Sequence, residues 1–512
     1  MKRSAAASSA LLLGLTLALS ACSGSNGSDG SNEGSAAASG GASASAAPGG
    51  PVEELTVAFP STSTPKDMQM VEDAINRIAE QKIQARVKLN PISAGEWVQQ
   101  TNLMFTSNEK LDLMFVSGAL YNNMVAKDQL VPLDELLDRY GDGIKTAIGE
   151  DYLQAAKVNN KIYAVPTVRD MASSYGVSMR KDLVDKYGID IGAIKSLDDL
   201  GNVLKTVKDG EGFAPLIPSS PGQTYLENYL FYDKLGDGIG VLPNYDNGLK
   251  VTNLYEMPEY KELLTRLRDW YQKGYILKDS ATSKSTPWEL IRSNKGFAYF
   301  AGMKPGFAAQ ESQAAGTAMV AAELLPPVAM TGTVTGAMWG VPVNTKLEDK
   351  AVQFLNLMYS DKDVVNLLDW GIEGTHYVKT AGQDNVIEYP AGVDSTTSGY
   401  NMPLGWMFGN QFLSYVMKGN DPDIWKTTDE FNKAASRSKA LGFGFDPTPV
   451  KTEYAAVSNV ITQYEMPLET GSVDPEKVLP EFISKLKAAG IDKIIAEKQK
   501  QLDEWAKANS AS

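Results

Sequence analysis

Residues 55–59 are apolar and are stopped by Pro60. A run that short, bounded by proline, reads as a strand buried on both faces. Pro65 then precedes Met70, Val71, Ala74, Ile75, Ile78 and Ala79, which recur at helical spacing. The pattern repeats. Residues 86–89 alternate like a strand, and residues 111–116 form another that ends in Ser117 and Gly118. Residues 131–140 read as a helix closed by Gly141, and residues 162–165 as a strand stopped by Pro166. Short buried strands alternating with striped helices imply an α/β fold with a parallel sheet covered by helices.

A second region starts near Tyr175. It predicts helices over 181–187, 197–207 and 259–273, the last with Leu263, Leu264, Leu267 and Trp270 on one stripe and Gly274 as its stop. Residues 297–300 and 336–343 read as strands. A helix follows with Ala351, Phe354, Leu355 and Met358 in phase, and residues 475–505 read as helices broken near Gly490. No solenoid repeat is present.

The N-terminus sets the compartment. Lys2 and Arg3 precede an apolar run over 10–19. That run is too short to span a hydrocarbon core, which takes about 20 residues, and suits a signal peptide. Leu19, Ser20, Ala21 and Cys22 then resemble a bacterial lipobox. The expectation is a signal peptide over 1–21, cleaved before a lipidated Cys22. Of residues 22–50, 23 of 29 are Ala, Gly or Ser, so this stretch cannot bury a core. As a coil it would span roughly 30 Å. The expected location is extracytoplasmic, with the chain lipid-anchored to the outer face of the cell membrane.

Cys22 is the only cysteine, so packing and not a disulfide must hold the body together. The net charge is −14 with the acids scattered, which argues against a nucleic-acid partner. His376 is the only histidine. No metal site built on several His or Cys is therefore expected, nor any cofactor.

Several segments together resemble a known family. Trp97, Val98, Gln99, Gln100, Thr101, Asn102, Leu103 and Met104 lead into Leu111, Asp112, Leu113, Met114 and Phe115. Lys161, Ile162, Tyr163, Ala164, Val165 and Pro166 lead into Arg169 and Asp170. Phe354 to Tyr359 lead into Gly371, Ile372, Glu373 and Gly374; Gly442 to Asp446 and Gly471 to Pro475 complete the set. These resemble sugar-type bacterial extracellular solute-binding proteins of ABC importers. They are nearest the family 1-like lipoproteins with a Paenibacillus-type C-terminal region. The resemblance implies a type II periplasmic-binding-protein-like fold, with two lobes joined by crossing strands and a ligand cleft between them. The crossings are expected at 166–174, 337–343 and near 389–400. Lobe 1 would hold 51–168 plus 340–395, and lobe 2 would hold 169–339 plus 396–512. The implied partners are an oligosaccharide ligand and the permease subunits, and the implied state is a monomer.

A sugar needs flat apolar surfaces for its CH faces and polar groups for its hydroxyls. Trp406 and Phe408, in a glycine-bounded segment with Asn410, fit the platform role or pack in the core. Trp339 stands beside a crossing, as platform or hinge packing. Trp97 either reaches the cleft or staples its helix, and Trp288 follows Pro287 at a helix start. Ser117 ends a strand, where open sheets bind ligands. Arg169 and Asp170 are expected to form a polar clamp at the hinge, with Tyr175 just beyond. Lys304 faces ligand or solvent, and His376 is expected to be structural. Binding without chemistry is the main expectation. The alternatives are a peptide binder, or a secreted glycoside hydrolase needing two facing carboxyls, of which Asp170 and Glu373 are the first candidates.

Overall fold

The computed structural model describes residues 52–509 apart from Pro403. The expected signal peptide, Cys22 and the tether lie outside the described residues.

The chain lays down β1 (Glu53–Ser61), β2 (Ala85–Ser93), β3 (Leu113–Ser117) and β4 (Ala164–Pro166). It then passes to β5 (Ser173–Arg180), β6 (Ala298–Met303) and β7 (Met319–Ala329). It returns for β8 (Ala337–Gly340) and leaves again for β9 (Ser436–Arg437). Two sheets result, ordered β2-β1-β3-β8-β4 and β6-β5-β7-β9. β1 is parallel to β2 and β3, while β8 runs antiparallel to β3 and β4. The helix Met68–Ile83 connects the first parallel pair and buries Val71, Ile75 and Ala79 of the stripe expected from spacing, while Ala74 and Ile78 are half-buried and Met70 is exposed. Parallel strands need such a crossover, and covering both faces explains why β1 buries Val57, Ala58 and Phe59 in succession.

Each sheet has its own hydrophobic core. The first gathers residues 55–172, then Val334 through Ala435. The second gathers residues 175–330 and 440–502. The chain crosses between them at 167–172, at 330–336 and at 435–436. The first crossing lies where expected. The second lies just before 337–343, because Ala337, Met338 and Trp339 are already strand residues of the first sheet. The third departs most from expectation. Tyr400, Met402, Met407 and Phe408 are buried in the first core, so residues 396–435 do not belong with lobe 2. No regular element longer than a short turn or strand occupies 389–423, so periodicity could not mark where the chain leaves.

The C-terminus is helical: Lys451–Glu469, Pro475–Ala489 and Ile491–Asn509. Gly490, at φ 100°, supplies the left-handed break between the last two. Among the described residues no helix is long and apolar enough to cross a membrane.

Candidate functional site

The three crossings are sewn together by side chains at their midpoints. Arg169 donates through Nη1 to the Asp170 carbonyl (2.9 Å) and to its Oδ1 (3.2 Å), and through Nη2 to the Thr333 carbonyl (3.1 Å). The Thr333 hydroxyl donates to the Met171 carbonyl (2.8 Å). Asn432, just before the third crossing, accepts from the Met171 N–H (2.9 Å) and donates to the Arg169 carbonyl (2.6 Å). Each crossing is thereby tied to another. Gly336 leaves room for the guanidinium, since a Cβ there would lie 3.0 Å from Nη2. Lys304, beyond β6, reaches the other Asp170 oxygen at 3.4 Å. The cluster is partly buried, so the charges are screened less than a surface pair would be. Ser117 and Gly118 stand beside it, with the Gly118 N–H donating to the Gly336 carbonyl (3.4 Å).

An aromatic chain runs through the first core to the surface. Phe59 meets Phe408 edge-on at 5.1 Å, and Phe408 stacks on Trp339 at 6.2 Å. Trp339 meets Phe115 at 6.3 Å, and Phe115 then contacts Trp97 (6.5 Å) and Trp406 (6.1 Å). Trp406 is 38% exposed and is the only aromatic ring so exposed among the described residues. Trp97 follows the end of β2, and Phe115 lies in β3. The chain of rings therefore surfaces by the carboxyl ends of the parallel strands, where open α/β sheets bind ligands.

Residues 411–425 add a second aromatic pair. Phe412 stacks on Trp425 at 6.3 Å, and the Trp425 indole donates to the Ser414 carbonyl (2.8 Å). Ile424 lies against Gly306, just beyond Lys304, so this pair sits where the first core meets a loop of the second sheet. On that second side Tyr175 lies beside Gly302, and Tyr229 packs on Phe300 at 5.6 Å. Burial pushes the Tyr175 phenol up to about 12 and raises that of Tyr229. Burial also raises the Asp233 carboxyl, whose Oδ2 has no partner among the described residues. Asn244 and Tyr245 both take left-handed φ values, 52° and 62°, which non-glycine residues hold only under constraint.

Two surface depressions, of about 460 and 390 Å³, lie along the helices Pro258–Gln272 and Pro475–Ala489. They are lined by charged side chains such as Lys261 and Glu262 and include no crossing residue. Their one aromatic residue, Trp270, is buried in the stripe of its helix.

Residues 73–378 match the family described as bacterial extracellular solute-binding protein. This chain belongs to that family. A carbohydrate ABC transporter substrate-binding protein of Streptococcus pneumoniae is 30% identical over 441 residues, covering 84% of this chain and 87% of that protein. Residues 439–507 match a segment described only as a domain of unknown function, DUF3502. The N-glycan transport solute binding protein NgtS of Streptococcus pneumoniae superposes with a TM-score of 0.77 at 27% identity, covering 89% of this chain and 99% of that one. The same protein in complex with Man1GlcNAc gives 0.69, and with Man5GlcNAc 0.65. The binding protein has the type II fold expected from its sequence and is extracytoplasmic.

Several residues singled out in the sequence take other places. Trp339 is fully buried and donates its indole N–H to the Met407 carbonyl (2.6 Å); Phe408 is buried against it. Neither has surface to offer a sugar. Asn410 closes a turn, accepting from the Phe412 N–H (3.0 Å) and donating to the Tyr359 carbonyl (3.2 Å). Trp288 commits its indole N–H to Glu311 (2.9 Å) within a small separate cluster with Leu290 and Tyr299. Glu373 is exposed and pairs with Lys379 at 3.8 Å, on a different element from Asp170 and with different partners. His376 is buried as expected, its Nδ1 accepting from the Ile372 N–H (2.9 Å). Thr333, Asn432, Phe412 and Trp425 were not singled out, since each looks like an ordinary polar or amphipathic position in its own segment.

Proposed function

We propose that this binding protein captures an oligosaccharide between its two sheets and delivers it to an ABC permease from a lipid-anchored position. The observation that carries this reading is Trp406, an exposed indole held in place by Phe115 of β3, the strand whose end at Ser117 and Gly118 meets the second crossing at Gly336. Trp406 supplies the flat surface, with Trp97 behind it. Arg169, Asp170 and Lys304 supply directional donors and acceptors. Ser117 and Tyr175 flank them. The S. pneumoniae relatives named for carbohydrate and N-glycan transport support this class of cargo.

Binding occurs without chemistry. Asp170 is held by Arg169 and Lys304, and Glu373 by Lys379, so neither is set as the partner of the other. Cargo touching both sides would favour a closed form by its differential affinity. A thermal-shift screen of mannose–N-acetylglucosamine glycans, other oligosaccharides and peptides tests this directly, because a ligand of the native state raises its melting temperature. A glycan-dependent rise without release of reducing ends is expected. A rise with peptides alone, or steady hydrolysis, would overturn the reading.

Cys22 is proposed as the anchor and the chain as a monomer. Cys22→Ala should move the protein from the membrane to the soluble fraction with glycan affinity unchanged within about twofold, because the tether over 22–50 is mostly Ala, Gly and Ser and has no aromatic ring to offer a sugar. Membrane retention of that variant would remove the anchor from the proposal.

A further inference from the structure

The segment matching the domain of unknown function is not an independent module. Its Phe443, Phe445, Val457, Leu468, Phe482 and Leu502 pack in the same core as the second sheet. Its polar contacts reach the helix Pro258–Gln272 and the turn before it, Thr331, and residues 224–251.

The stretch 224–251 holds little regular structure of its own. It contains one short turn, Leu226–Asn228, and the two-residue strands Tyr232–Asp233 and Leu242–Pro243. Leu235, Asn244, Tyr245 and Leu249 are left-handed without being glycine. A loop of this length keeps one conformation only if something else satisfies and holds its backbone. The C-terminal segment does so at both ends and in the middle. Glu469 accepts from the Thr224 hydroxyl and from the Tyr260 hydroxyl (2.9 Å). Lys498 donates to Asp237 Oδ1 (2.6 Å) and the Gly240 carbonyl (3.2 Å), with its ammonium 4.7 Å from the Phe445 ring. Gln499 accepts from the Val251 N–H (2.7 Å) and donates to the Leu249 carbonyl (3.0 Å). The Lys439 N–H, just past the third crossing, donates to the Tyr245 carbonyl (3.1 Å).

Glu469 and Lys498 are unusual anchors. Lys498 is 0% exposed and Glu469 nearly so. Removing an ion from water costs several kcal/mol, and an apolar residue of similar shape is often as stabilising. What a buried ammonium such as Lys498, or a buried hydrogen-bonded carboxyl such as Glu469, does provide is a single register, since any other placement leaves its polar atoms unpaired. The stretch so registered carries Tyr229, half-buried against Phe300 of β6, and Tyr245, whose phenol donates to the Leu230 carbonyl (2.5 Å). Tyr245 lies near both Tyr229 and Tyr175, and Tyr175 follows the first crossing directly.

We propose that residues 439–507 act as a buttress that positions the 224–251 stretch for cargo, with Glu469 and Lys498 as positioning residues and Tyr229 and Tyr245 as the second-side surface. The cargo part rests on the oligosaccharide reading above.

The test uses the full chain. Thr224→Val keeps shape but removes the donor to Glu469, Thr224→Ser restores it, and Lys498→Met keeps the stem without the charge. Two readouts are taken: amide hydrogen exchange, and affinity for a mannose–N-acetylglucosamine glycan. Thr224→Val and Lys498→Met should speed exchange within 224–251 but not in β1–β3, and should weaken glycan binding about tenfold, the loss of one well-placed hydrogen bond. Thr224→Ser should return both toward wild type, a rescue that general destabilisation would not give. Unchanged exchange in 224–251 would overturn the buttress, and faster exchange with unchanged affinity would overturn its role in positioning cargo. If the wild-type protein binds no glycan, the cargo reading fails. The exchange difference between Thr224→Val and Thr224→Ser then decides the buttress alone.

Discussion

Trp406→Ala is expected to weaken glycan binding by about 10- to 100-fold, about 1.4–2.8 kcal/mol, while the melting temperature barely moves. Trp406 keeps over a third of its surface in water and touches the aromatic chain only through Phe115, so truncation opens no interior cavity. Trp339→Ala is the contrasting case. That indole is fully buried, stacked on Phe408 and bonded to the Met407 carbonyl. Deleting it should cost about 3–5 kcal/mol of stability, the range for large aromatic truncations in a core, and leave the carbonyl unsatisfied. Titration calorimetry and denaturant melts on both variants separate the two roles. Unchanged affinity for Trp406→Ala, with the wild type binding, would remove Trp406 from the site.

Asp369→Asn is expected to stabilise the protein at pH 8 by on the order of 2–4 kcal/mol, and to have little effect at pH 4. Asp369 is buried, neither carboxylate oxygen accepts a hydrogen bond among the described residues, and the Ser414 hydroxyl is the polar group facing it. Burial pushes its carboxyl up to about 7, whereas an unfolded aspartate titrates near 3.9. Between those values the folded state holds a proton that the unfolded chain releases. Stability therefore falls as pH rises from about 4 to about 7 and levels off above that. Asparagine has no charge to lose, so this part of the slope should vanish. Glu469, pushed up to about 8 by burial and by nearby Glu465, would leave a residual slope of the same sign. Denaturant melts across pH 4–9 give the answer. A variant less stable than wild type at pH 8 would show that the ionised carboxylate is satisfied in the folded state. A Cβ on Gly405 would meet Asp369 Oδ2 at 2.7 Å. The same carboxyl thus lies under the segment carrying Trp406, and pH-dependent glycan affinity should track the stability curve.

Much of this was legible along the chain. The stripe Leu263, Leu264, Leu267 and Trp270 is buried as its spacing predicts, within Pro258–Gln272. Arg169 and Asp170, which the family resemblance puts at a hinge, form a polar cluster at the first crossing. Sequence alone does not decide whether Lys304 meets ligand or solvent, because its partner Asp170 lies far away along the chain. On the helix Ile491–Asn509 the buried positions are Ile491, Ile494, Lys498 and Leu502, so Lys498 stands in an apolar stripe. A lysine there must find an anion or a carbonyl inside, and Asp237 and Gly240 provide both.

The alternation of short buried strands with striped helices already marks an α/β protein and the parallel pairing of β1 with β2 and β3, whereas β8 against β3 and β4, and β5 against β6 and β7, pair antiparallel between strands that no local pattern connects. Periodicity is a local property, and backbone geometry reads it directly. Tertiary structure alone decided that Trp406 reaches solvent while Trp339 and Phe408 do not, and that the chain stays with the first core until Ala435. Exposure depends on what packs against a ring. For Trp339 those partners are Phe115 and Phe408, which no local pattern connects to it.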